Sequence, residues 1–354
     1  MKLSSLLHLL CPLLTVLPVT GMPLDPVKLK VFVLAGQSNM EGKVQNNLLE
    51  HQALDPATRQ HFAHLRTGAD WVVRDDVFIK FLERHGGLTM GYGSRDRTGL
   101  ELEFGTVLAE HFEEPVLLIK TAWGGHSLGK LFRSPSAGLP EDARLEEELA
   151  KAVAKATKHN SERGTTDALP TLVDIQAEYG SSYRMMMQEI ADTLASVETL
   201  FPTLNGVEPE LAGFVWFQGW NDQYEGLDLE YESNMKHFID DVRRDLETPT
   251  LPFVIGVMGQ NGSTPAQGAM LRIQEAQLAM AQVPAFVGNV VSIRTDALTD
   301  AAAEELYPTW KDNLEQWQKV GSDHRYHYLG SAIWFTRMGR VFGEGMISLL
   351  EATD

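Results

Sequence analysis

Short apolar runs alternate along this chain with longer segments whose apolar residues recur at helical spacing. The runs predict buried strands at residues 29–35, 115–119, 214–217, 251–258 and 286–293. The helical spacing predicts helices at residues 101–111, 139–160, 183–200, 231–246, 268–282 and 328–350. Because strands and helices alternate, we expect a parallel sheet that is covered by helices on both faces.

Two segments do not fit a simple strand and helix alternation. Residues 46–98, called the excursion below, show no single pattern and are expected to pack beside the sheet. Short strands are predicted within them at 71–73 and 77–79. About eighty residues separate the second and third main strands, which is far longer than a usual connection. We therefore predict a single α/β domain over residues 22–354, with an insertion at about 130–208 that contains two helices around a loop at 164–174. Met185, Met186 and Met187 are expected to be core-filling residues of the second of these helices and not a ligand site.

Residues capable of chemistry follow the ends of the predicted strands. Ser38 follows the first strand, Gly124 and Gly125 follow the second, and Asn221 follows the third. His327 precedes the last helix. Because the carboxyl ends of parallel strands meet at one edge of a sheet, we expect these four features to converge there.

The serine at the end of the first strand permits two interpretations. Gly36 allows a sharp turn after the strand, which would leave the Ser38 hydroxyl exposed at the sheet edge as a nucleophile. Ser38 and Glu41 also have the spacing of a helix capping box, which requires no chemistry. The two interpretations are compatible, since a capping box could hold the nucleophile in place.

The chain resembles the SGNH hydrolases in four sequences. The most specific is Gly36-Gln37-Ser38-Asn39-Met40. The others are the Gly124-Gly125 turn, the Gly-x-Asn-Asp sequence that contains Asn221, and the Tyr-His-Tyr-Leu-Gly sequence that contains His327. Within the SGNH hydrolases it is most similar to the sialate O-acetylesterases and acetylxylan esterases. The resemblance implies a flavodoxin-like, three-layer α/β/α sandwich with a central parallel sheet. It also implies hydrolysis of O-acetyl esters on carbohydrate, with no metal or other cofactor.

The same resemblance implies roles for individual residues. Ser38 corresponds to the nucleophile and His327 to its general base. The backbone N–H of Ser38, the Gly124-Gly125 turn and the Asn221 side chain correspond to the oxyanion hole. These roles agree with the chemistry, because a serine needs a histidine to take its proton and the tetrahedral oxyanion needs preorganised donors.

The position of the catalytic acid departs from the family pattern. SGNH enzymes commonly place the acid three residues before the histidine, whereas Asp323 lies four residues before His327. A short turn could still bring the Asp323 carboxylate to the outer imidazole nitrogen. Asp222 is the second candidate, and the alternative role for Asp222 is a helix N-cap. His324 and His126 are expected to be surface or core residues.

Several polar and aromatic side chains near these positions are candidates for substrate contact. We expect Gln37, Gln218 and Trp220 to bind substrate, with Trp220 forming a wall of the crevice. Packing is the expected main role of Trp123 and Trp216. The Gln218 side chain could equally well form a hydrogen bond within its own loop.

Composition narrows the classes of partner and compartment. The formal charge of −18 argues against nucleic-acid and anionic-membrane partners, which need basic patches, and it is also typical of a soluble exported protein. Residues 1–21 read as a secretory signal, so we expect a secreted or periplasmic protein without a membrane span. The sole cysteine, Cys11, lies in that signal, which excludes disulfides, thiolate metal sites and cysteine nucleophiles from the mature chain.

Together these features predict a serine esterase that removes O-acetyl groups from a carbohydrate through an acyl-enzyme. The carbohydrate would be an acetylated polysaccharide or a sialic-acid-like sugar. The alternative, suggested by the unusual acid position, is a catalytically inactive carbohydrate-binding protein on the same scaffold. A peptidase or lipase on a related sheet is a third, less favoured hypothesis.

Overall fold

The structure is a computed structural model that describes residues 27–352, so the predicted signal segment lies outside the described residues. The strands are β1 (Lys28–Gly36), β2 (Val44–Gln45), β3 (Arg66–Thr67), β4 (Asp70–Trp71), β5 (Val77–Phe81), β6 (Arg84–Gly87), β7 (Arg97–Thr98), β8 (Val116–Ala122), β9 (Glu208–Phe217), β10 (Phe253–Val257) and β11 (Val290–Arg294). The helices are α1 (Ser38–Glu41), α2 (Asn46–Leu54), α3 (Glu101–His111), α4 (Asp142–Arg163), α5 (Leu172–Glu178), α6 (Ser181–Ala195), α7 (Val197–Leu200), α8 (Tyr231–Asp245), α9 (Gly268–Met280), α10 (Ala301–Leu306), α11 (Leu314–Trp317) and α12 (Ala332–Glu351). Short 3₁₀ turns include Trp220–Gln223 and Arg325–Gly330.

Seven strands form the central sheet, in the order β11-β10-β9-β1-β8-β5-β6. All neighbours pair in parallel except β5 and β6, which form an antiparallel hairpin at one edge. The sheet extends from β1 through β8, β5 and β6 on one side, and through β9, β10 and β11 on the other. β8 and β9 follow each other along the chain but lie on opposite sides of β1. The strand order therefore reverses at β1, and ligands of open α/β sheets bind at such a reversal.

The alternation of side chains along β1 shows why helices cover both faces. Phe32 and Leu34 point to one face, where they belong to a core that includes α3 and α12. Val31, Val33 and Ala35 point to the other face, with α6, α8 and α9. All five side chains are fully buried. The structure thus confirms the predicted three-layer α/β/α sandwich, with β6 as the one antiparallel strand of its central sheet.

The predicted elements are observed, most of them with small shifts of their ends, although the third main strand begins six residues earlier, at Glu208, and the fifth four residues later, at Val290. The helix predicted at residues 101–111 has those bounds, and the five main strands are all present. The loop predicted at residues 164–174 ends earlier, because α5 begins at Leu172 and is capped by reciprocal hydrogen bonds between Thr171 and Asp174. The last helix begins at Ala332 instead of residue 328, because Tyr328 and Leu329 adopt left-handed backbone angles. Of the three consecutive methionines Met186 is fully buried, whereas Met185 is exposed.

A fully buried ion pair lies on the α3 and α12 side of the sheet. Lys120 of β8 contacts Glu101 of α3 with a distance of 2.8 Å between Nζ and Oε2, and neither side chain is exposed. Lys120 Nζ also donates to the carbonyl of Tyr92, and Glu101 Oε1 accepts the N–H of Gly99. Burial lowers the pKa of Lys120, while the Glu101 carboxylate raises it. The pair joins α3 to the central sheet, and the hydrogen bond from Lys120 to Tyr92 joins the segment of residues 46–98 to it.

Glu101→Gln should strongly destabilise the fold, because it leaves the buried Lys120 ammonium without a balancing charge. Removing one partner of a buried pair typically costs about 3–5 kcal/mol. The control is Glu232→Gln, since Glu232 pairs with Lys236 on an exposed helix surface and should cost less than about 1 kcal/mol. Urea denaturation measures both losses. Equal losses in the two variants would show that burial of the pair does not matter.

Candidate active site

Ser38 lies in a tight turn at the carboxyl end of β1. Gly36 has φ +153°, and a methyl group in its place would lie 2.2 Å from the carbonyl oxygen of Phe217, so only glycine fits. Ser38 is the first residue of α1, and Gln37 is the N-cap residue but forms no side-chain capping bond. The predicted capping box is therefore wrong. The Glu41 carboxylate instead accepts a hydrogen bond from Lys43, at 2.8 Å.

Ser38, the glycine turn and Asn221 follow three adjacent strands at the centre of the sheet. A methyl group on Gly124 would lie 3.9 Å from the Cβ of Ser38, and one on Gly125 would lie 4.0 Å from Nδ2 of Asn221. The Trp123 N–H donates to the carbonyl of Gly36 at 3.2 Å, which links the turns after β8 and β1. The sheet thus brings together three features that are widely separated in sequence, as the strand-end pattern predicted.

The Gln37 side chain fixes the orientation of Asn221. Its Nε2 donates to Asn221 Oδ1 at 3.0 Å, while its Oε1 accepts the Gly219 N–H and Nε2 of Gln218, both at 3.1 Å. With Oδ1 of Asn221 engaged, its Nδ2 faces Gly125. Gln37 and Gln218 are both about 2% exposed. The expectation that they bind substrate is therefore corrected: their amides are buried in bonds within the protein, and they position the loop that carries Asn221.

Asp222 ties the loops after β8 and β9 together. It is fully buried, and its carboxylate accepts the N–H groups of Leu128 and Gly129 at 2.9 and 2.7 Å and Nε2 of Gln218 at 2.5 Å. Burial raises the pKa of Asp222 to about 6, although these three donors favour the ionised form. None of its hydrogen-bond partners is a histidine side chain. These contacts place Asp222 as a structural tie between the two loops and not against a catalytic base.

His327 and Asp323 lie together despite their unusual spacing. His327 Nδ1 is 3.1 Å from Oδ2 of Asp323, which is an ion-pair distance, although the ring N–H is not aligned for a hydrogen bond. Catalytic hydrogen bonds are often poorly aligned before substrate binds. The His324 N–H donates to Oδ1 of Asp323 at 2.7 Å. A tight turn accounts for the four-residue spacing, because the His327 N–H donates to the carbonyl of His324 at 2.9 Å.

The residues after His327 anchor this turn in the core. Tyr328 and Leu329 have positive φ angles of 52° and 60° and are fully buried. The Tyr328 hydroxyl accepts the N–H of Gly259 at 2.8 Å and lies 2.7 Å from Oγ1 of Thr295. On the other side, the Asn39 side chain in α1 donates to the carbonyl of Tyr326 at 3.1 Å. This last bond joins the helix that carries Ser38 to the turn that carries His327.

Arg97 is a site residue that the sequence did not suggest. It comes from β7 in the excursion, and its Nη1 lies 2.5 Å from Oδ2 of Asp323, the same oxygen that faces His327. Burial alone would raise the pKa of Asp323. The contacts with the His327 ring, the His324 N–H and Arg97 outweigh it and lower the pKa to about 2. Nothing in the residues around Arg97 signals a role, because its partner lies 226 positions away.

The other two histidines have different surroundings. Nδ1 of His126 lies 2.6 Å from the Ser182 hydroxyl in α6, and burial lowers the pKa of His126. His324 is exposed and stacks on the Tyr326 ring, with centroids 5.2 Å apart. Neither contacts the Asp323 carboxylate through its ring, in contrast to His327.

The three tryptophans near the site differ in exposure. Trp216 is fully buried and packs on Phe132 and Phe238. Trp123 and Trp220 are half-buried. The Trp220 ring lies 5.9 Å from the ring of Tyr326, the residue before His327. A role of Trp220 as a wall of the crevice stays a prediction.

A second serine has a spacing that the sequence reasoning missed. Residues 125–129 read Gly-His-Ser-Leu-Gly, which matches the Gly-x-Ser-x-Gly pattern of nucleophile elbows. Such an elbow requires the serine to stand between a strand and a helix. Ser127 instead lies five residues after the end of β8, in a segment of turns. Both serines are buried, with 8% of Ser38 and 7% of Ser127 exposed, so position and not burial separates them. The strand-to-helix position belongs to Ser38.

This arrangement provides the groups that ester hydrolysis needs. It contains a hydroxyl at a strand-to-helix turn, a histidine with a carboxylate on one ring nitrogen, and amide donors beside the hydroxyl. Between residues 27 and 352, no cluster of three or more histidine, cysteine, aspartate or glutamate side chains is arranged to hold a metal ion.

The chain matches a protein-family model over most of its length. A family model described as "Carbohydrate esterase, sialic acid-specific acetylesterase" matches residues 28–306, which include Ser38 and Asn221 but end before His327. A search of curated protein sequences found no significant match.

Solved structures with a similar course of the chain share little sequence with it. A protein from Arabidopsis thaliana is 15% identical, with a TM-score of 0.48 over 91% of this chain and 99% of the plant chain. A carbohydrate acetylesterase from Xanthomonas citri is 15% identical, with a TM-score of 0.41 over 77% of this chain and 51% of its own. The protein NanS is 12% identical, with a TM-score of 0.42 over 79% of this chain and 80% of its own.

Asp222→Asn should change how stability depends on pH. The folded-state pKa of Asp222 is about 6, above its ordinary value of 3.8, so ionisation of Asp222 lowers the stability of the wild type as pH rises from about 4 to 6. Asn cannot ionise, but it accepts fewer hydrogen bonds and should be less stable overall. The stability deficit of the variant should therefore narrow by about 2 kcal/mol between pH 4.5 and 7.5. Urea denaturation at both pH values measures this, and a constant or widening deficit would contradict the assignment.

Proposed function

The chain belongs to the sialic acid-specific acetylesterase family of carbohydrate esterases, and from this premise we propose that it hydrolyses O-acetyl esters of a carbohydrate with Ser38 as nucleophile. The substrate would be an acetylated polysaccharide or a sialic-acid-like sugar. The observation that carries this proposal is the position of Ser38, between the loops of Gly124 and Asn221 at the reversal of strand order.

In the acylation step, Ser38 Oγ attacks the carbonyl carbon of the acetyl group. His327 has Nδ1 on the Asp323 side, so its Nε2 is the nitrogen that takes the serine proton. The same nitrogen then protonates the sugar oxygen as the ester bond breaks. The products of this step are the free sugar hydroxyl and acetyl-Ser38.

In the deacylation step, His327 Nε2 takes a proton from water, and the resulting hydroxide attacks the acetyl-enzyme. Collapse of the second tetrahedral intermediate releases acetate and returns the proton to Ser38. Both intermediates carry an oxyanion. The backbone N–H of Ser38, an N–H of the glycine turn and Nδ2 of Asn221 are the proposed donors to it.

The proposed role of Asp323 is to hold the His327 ring and to stabilise its charged form. A carboxylate does this only when ionised. With a pKa of about 2, Asp323 is ionised throughout the physiological range, which supports Asp323 over Asp222 as the acid. Arg97 contributes to this low pKa through its contact with the same carboxylate.

A catalytically inactive carbohydrate-binding protein remains the alternative. The four-residue spacing between Asp323 and His327 is the feature that suggests this alternative. The contact between Asp323 and His327 weakens that motivation, because the turn brings the two side chains within 3.1 Å. Glycan binding without acetate release would favour the alternative.

Export is also part of the proposal. It depends on the predicted signal at residues 1–21, which lie outside the described residues. Within residues 27–352, no helix combines the length and apolar character that crossing a membrane requires.

Ser38→Ala should lower kcat for p-nitrophenyl acetate and for an acetylated xylan by at least about 10³-fold, because no nucleophile remains. Ser127→Ala is the matched control, since Ser127 belongs to the rival Gly-x-Ser-x-Gly sequence, and on p-nitrophenyl acetate, which has no sugar, it should stay within about tenfold of the wild type. Acetate release and circular dichroism would be measured for each variant. A larger loss in Ser127→Ala than in Ser38→Ala would overturn the assignment of the nucleophile.

Asn221→Ala should lower kcat by about 10²–10³-fold with a small effect on the free energy of unfolding, because one oxyanion donor is lost. Asn205→Ala, in an exposed loop before β9, is the control and should leave kcat unchanged. Steady-state kinetics on p-nitrophenyl acetate gives the comparison. If Asn221→Ala raised KM alone, Asn221 would bind the ground state and would not be an oxyanion donor.

A further inference from the structure

The carboxylate of Asp323, the proposed catalytic acid, is held from two directions. Its Oδ1 accepts the N–H of His324 at 2.7 Å, within its own turn. Its Oδ2 lies 2.5 Å from Nη1 of Arg97 and 3.1 Å from Nδ1 of His327. Of these two contacts at Oδ2, the one with Arg97 has the geometry of a hydrogen bond and the one with His327 does not. The orientation of the carboxylate is therefore fixed by its own turn and by Arg97, and not by the histidine.

The segment that carries this arginine, residues 93–98, also contacts the helix of the proposed nucleophile. Lys43 Nζ donates to the Ser94 hydroxyl of the segment at 2.6 Å and to the Glu41 carboxylate at 2.8 Å. Glu41 is the last residue of α1, the helix that begins at Ser38. The 93–98 segment therefore connects the acid to the helix of the nucleophile.

The strand that pairs with this segment grips the same turn as the arginine. β7, at the end of the 93–98 segment, pairs with β2, and Gln45 of β2 lies directly opposite Arg97. The Gln45 N–H donates to Oγ of Ser322 at 3.3 Å, and its Nε2 donates to the Ser322 carbonyl at 3.4 Å. Within the segment, the Gly93 N–H donates to the carbonyl of Arg97 at 2.8 Å. The two short strands thus hold the acid's turn at two adjacent residues.

A contact on the other side completes a ring around the site. The Asn39 side chain of α1 donates to the carbonyl of Tyr326, the residue before His327, at 3.1 Å. From α1 the contacts therefore run through the 93–98 segment to the acid's turn, and from that turn directly back to α1. The nucleophile is tied to the acid on one side of this ring and to the histidine on the other.

The burial of the acid makes the arginine hard to replace. The Asp323 side chain is 10% exposed and that of Arg97 is 26% exposed. Water has little access to such a carboxylate, so a lost partner would leave Oδ2 poorly compensated and free to turn away from His327. A displacement of a catalytic group by about 1 Å can cost about 10²-fold in rate.

We propose, on the basis of the esterase function above, that Arg97 is a positioning residue, which holds the Asp323 carboxylate where His327 Nδ1 meets it when the ring accepts the serine proton. Arg97 acts through Asp323 and touches neither the substrate nor the reacting atoms. Its loss should therefore slow the chemical steps and leave substrate binding unchanged. The excursion would in this way contribute to catalysis, although the nucleophile, the oxyanion donors and the histidine all lie outside it.

The first experiment measures kcat and KM for p-nitrophenyl acetate. Arg97→Gln should lower kcat by at least about tenfold, with KM within about twofold of the wild type. Arg97→Lys keeps a cationic donor for the single oxygen that is contacted, and should keep kcat within about threefold of the wild type. The matched control is Arg95→Gln, because Arg95 belongs to the same segment, its side chain is 97% exposed, and it lies 3.7 Å from Asp96; kcat should be unchanged.

A double-mutant cycle tests whether Arg97 acts through Asp323. Asp323→Asn by itself should lower kcat by up to about 10⁴-fold, as loss of a triad acid does. In that background Arg97→Gln should cause no further loss, because the group that it positions is gone. A general structural role would lower kcat in both backgrounds. Urea denaturation of every variant shows that folded protein is being compared.

The outcomes separate this proposal from the esterase function, which is tested by loss of the same hydrolysis in Ser38→Ala. With that activity present, the positioning role is overturned by a wild-type kcat in Arg97→Gln or in Asp323→Asn, or by a rise in KM alone. An equal loss in Arg95→Gln, or a further loss in the Asp323→Asn background, also overturns it. A loss of kcat that Arg97→Lys restores, and that disappears in the Asp323→Asn background, supports it.

Discussion

The hydrogen bonds of the Gln37 side chain are the constraint on which the rest of the site depends. One buried amide joins the turn after β1 to Asn221 and to the Gly219 N–H in the loop after β9. Gln218 extends the network to Asp222, which holds the loop after β8. Burying any one of these polar side chains without a partner would cost free energy, but each forms hydrogen bonds within the network. Donors fixed in this way need no reorganisation when charge develops, which is the requirement for an oxyanion hole.

The histidine is held by a different device. Its turn is closed by backbone hydrogen bonds and continues into two buried residues, Tyr328 and Leu329, in left-handed conformations. Such backbone costs about 1–3 kcal/mol per residue and persists only where the surrounding structure determines it. Here the hydrogen bonds of the Tyr328 hydroxyl and the burial of both side chains hold the two residues in this conformation. The strain is thus located next to the residue whose position matters most for the proposed chemistry.

Two carboxylates near the site illustrate how surroundings decide a role. Asp222 is surrounded by apolar core and by donors from neighbouring loops, and burial raises its pKa to about 6. Asp323 faces a histidine and an arginine, and these contacts lower its pKa to about 2. The first is suited to holding loops together, and the second to remaining ionised beside a base. Sequence distance from His327 alone could not separate them.

The sequence by itself determined the layered fold and the set of strand-end features, because apolar periodicity fixes which residues must be buried and parallel strands bring their carboxyl ends to one edge. It also marked Ser38, Asn221 and His327 through local motifs. Only the tertiary structure decided the function of Gln37 and Gln218, which are buried ties, and the contact of Arg97 with Asp323. The reason is physical: whether a polar side chain faces solvent or a buried partner depends on residues up to 287 positions away, and no local pattern records that distance.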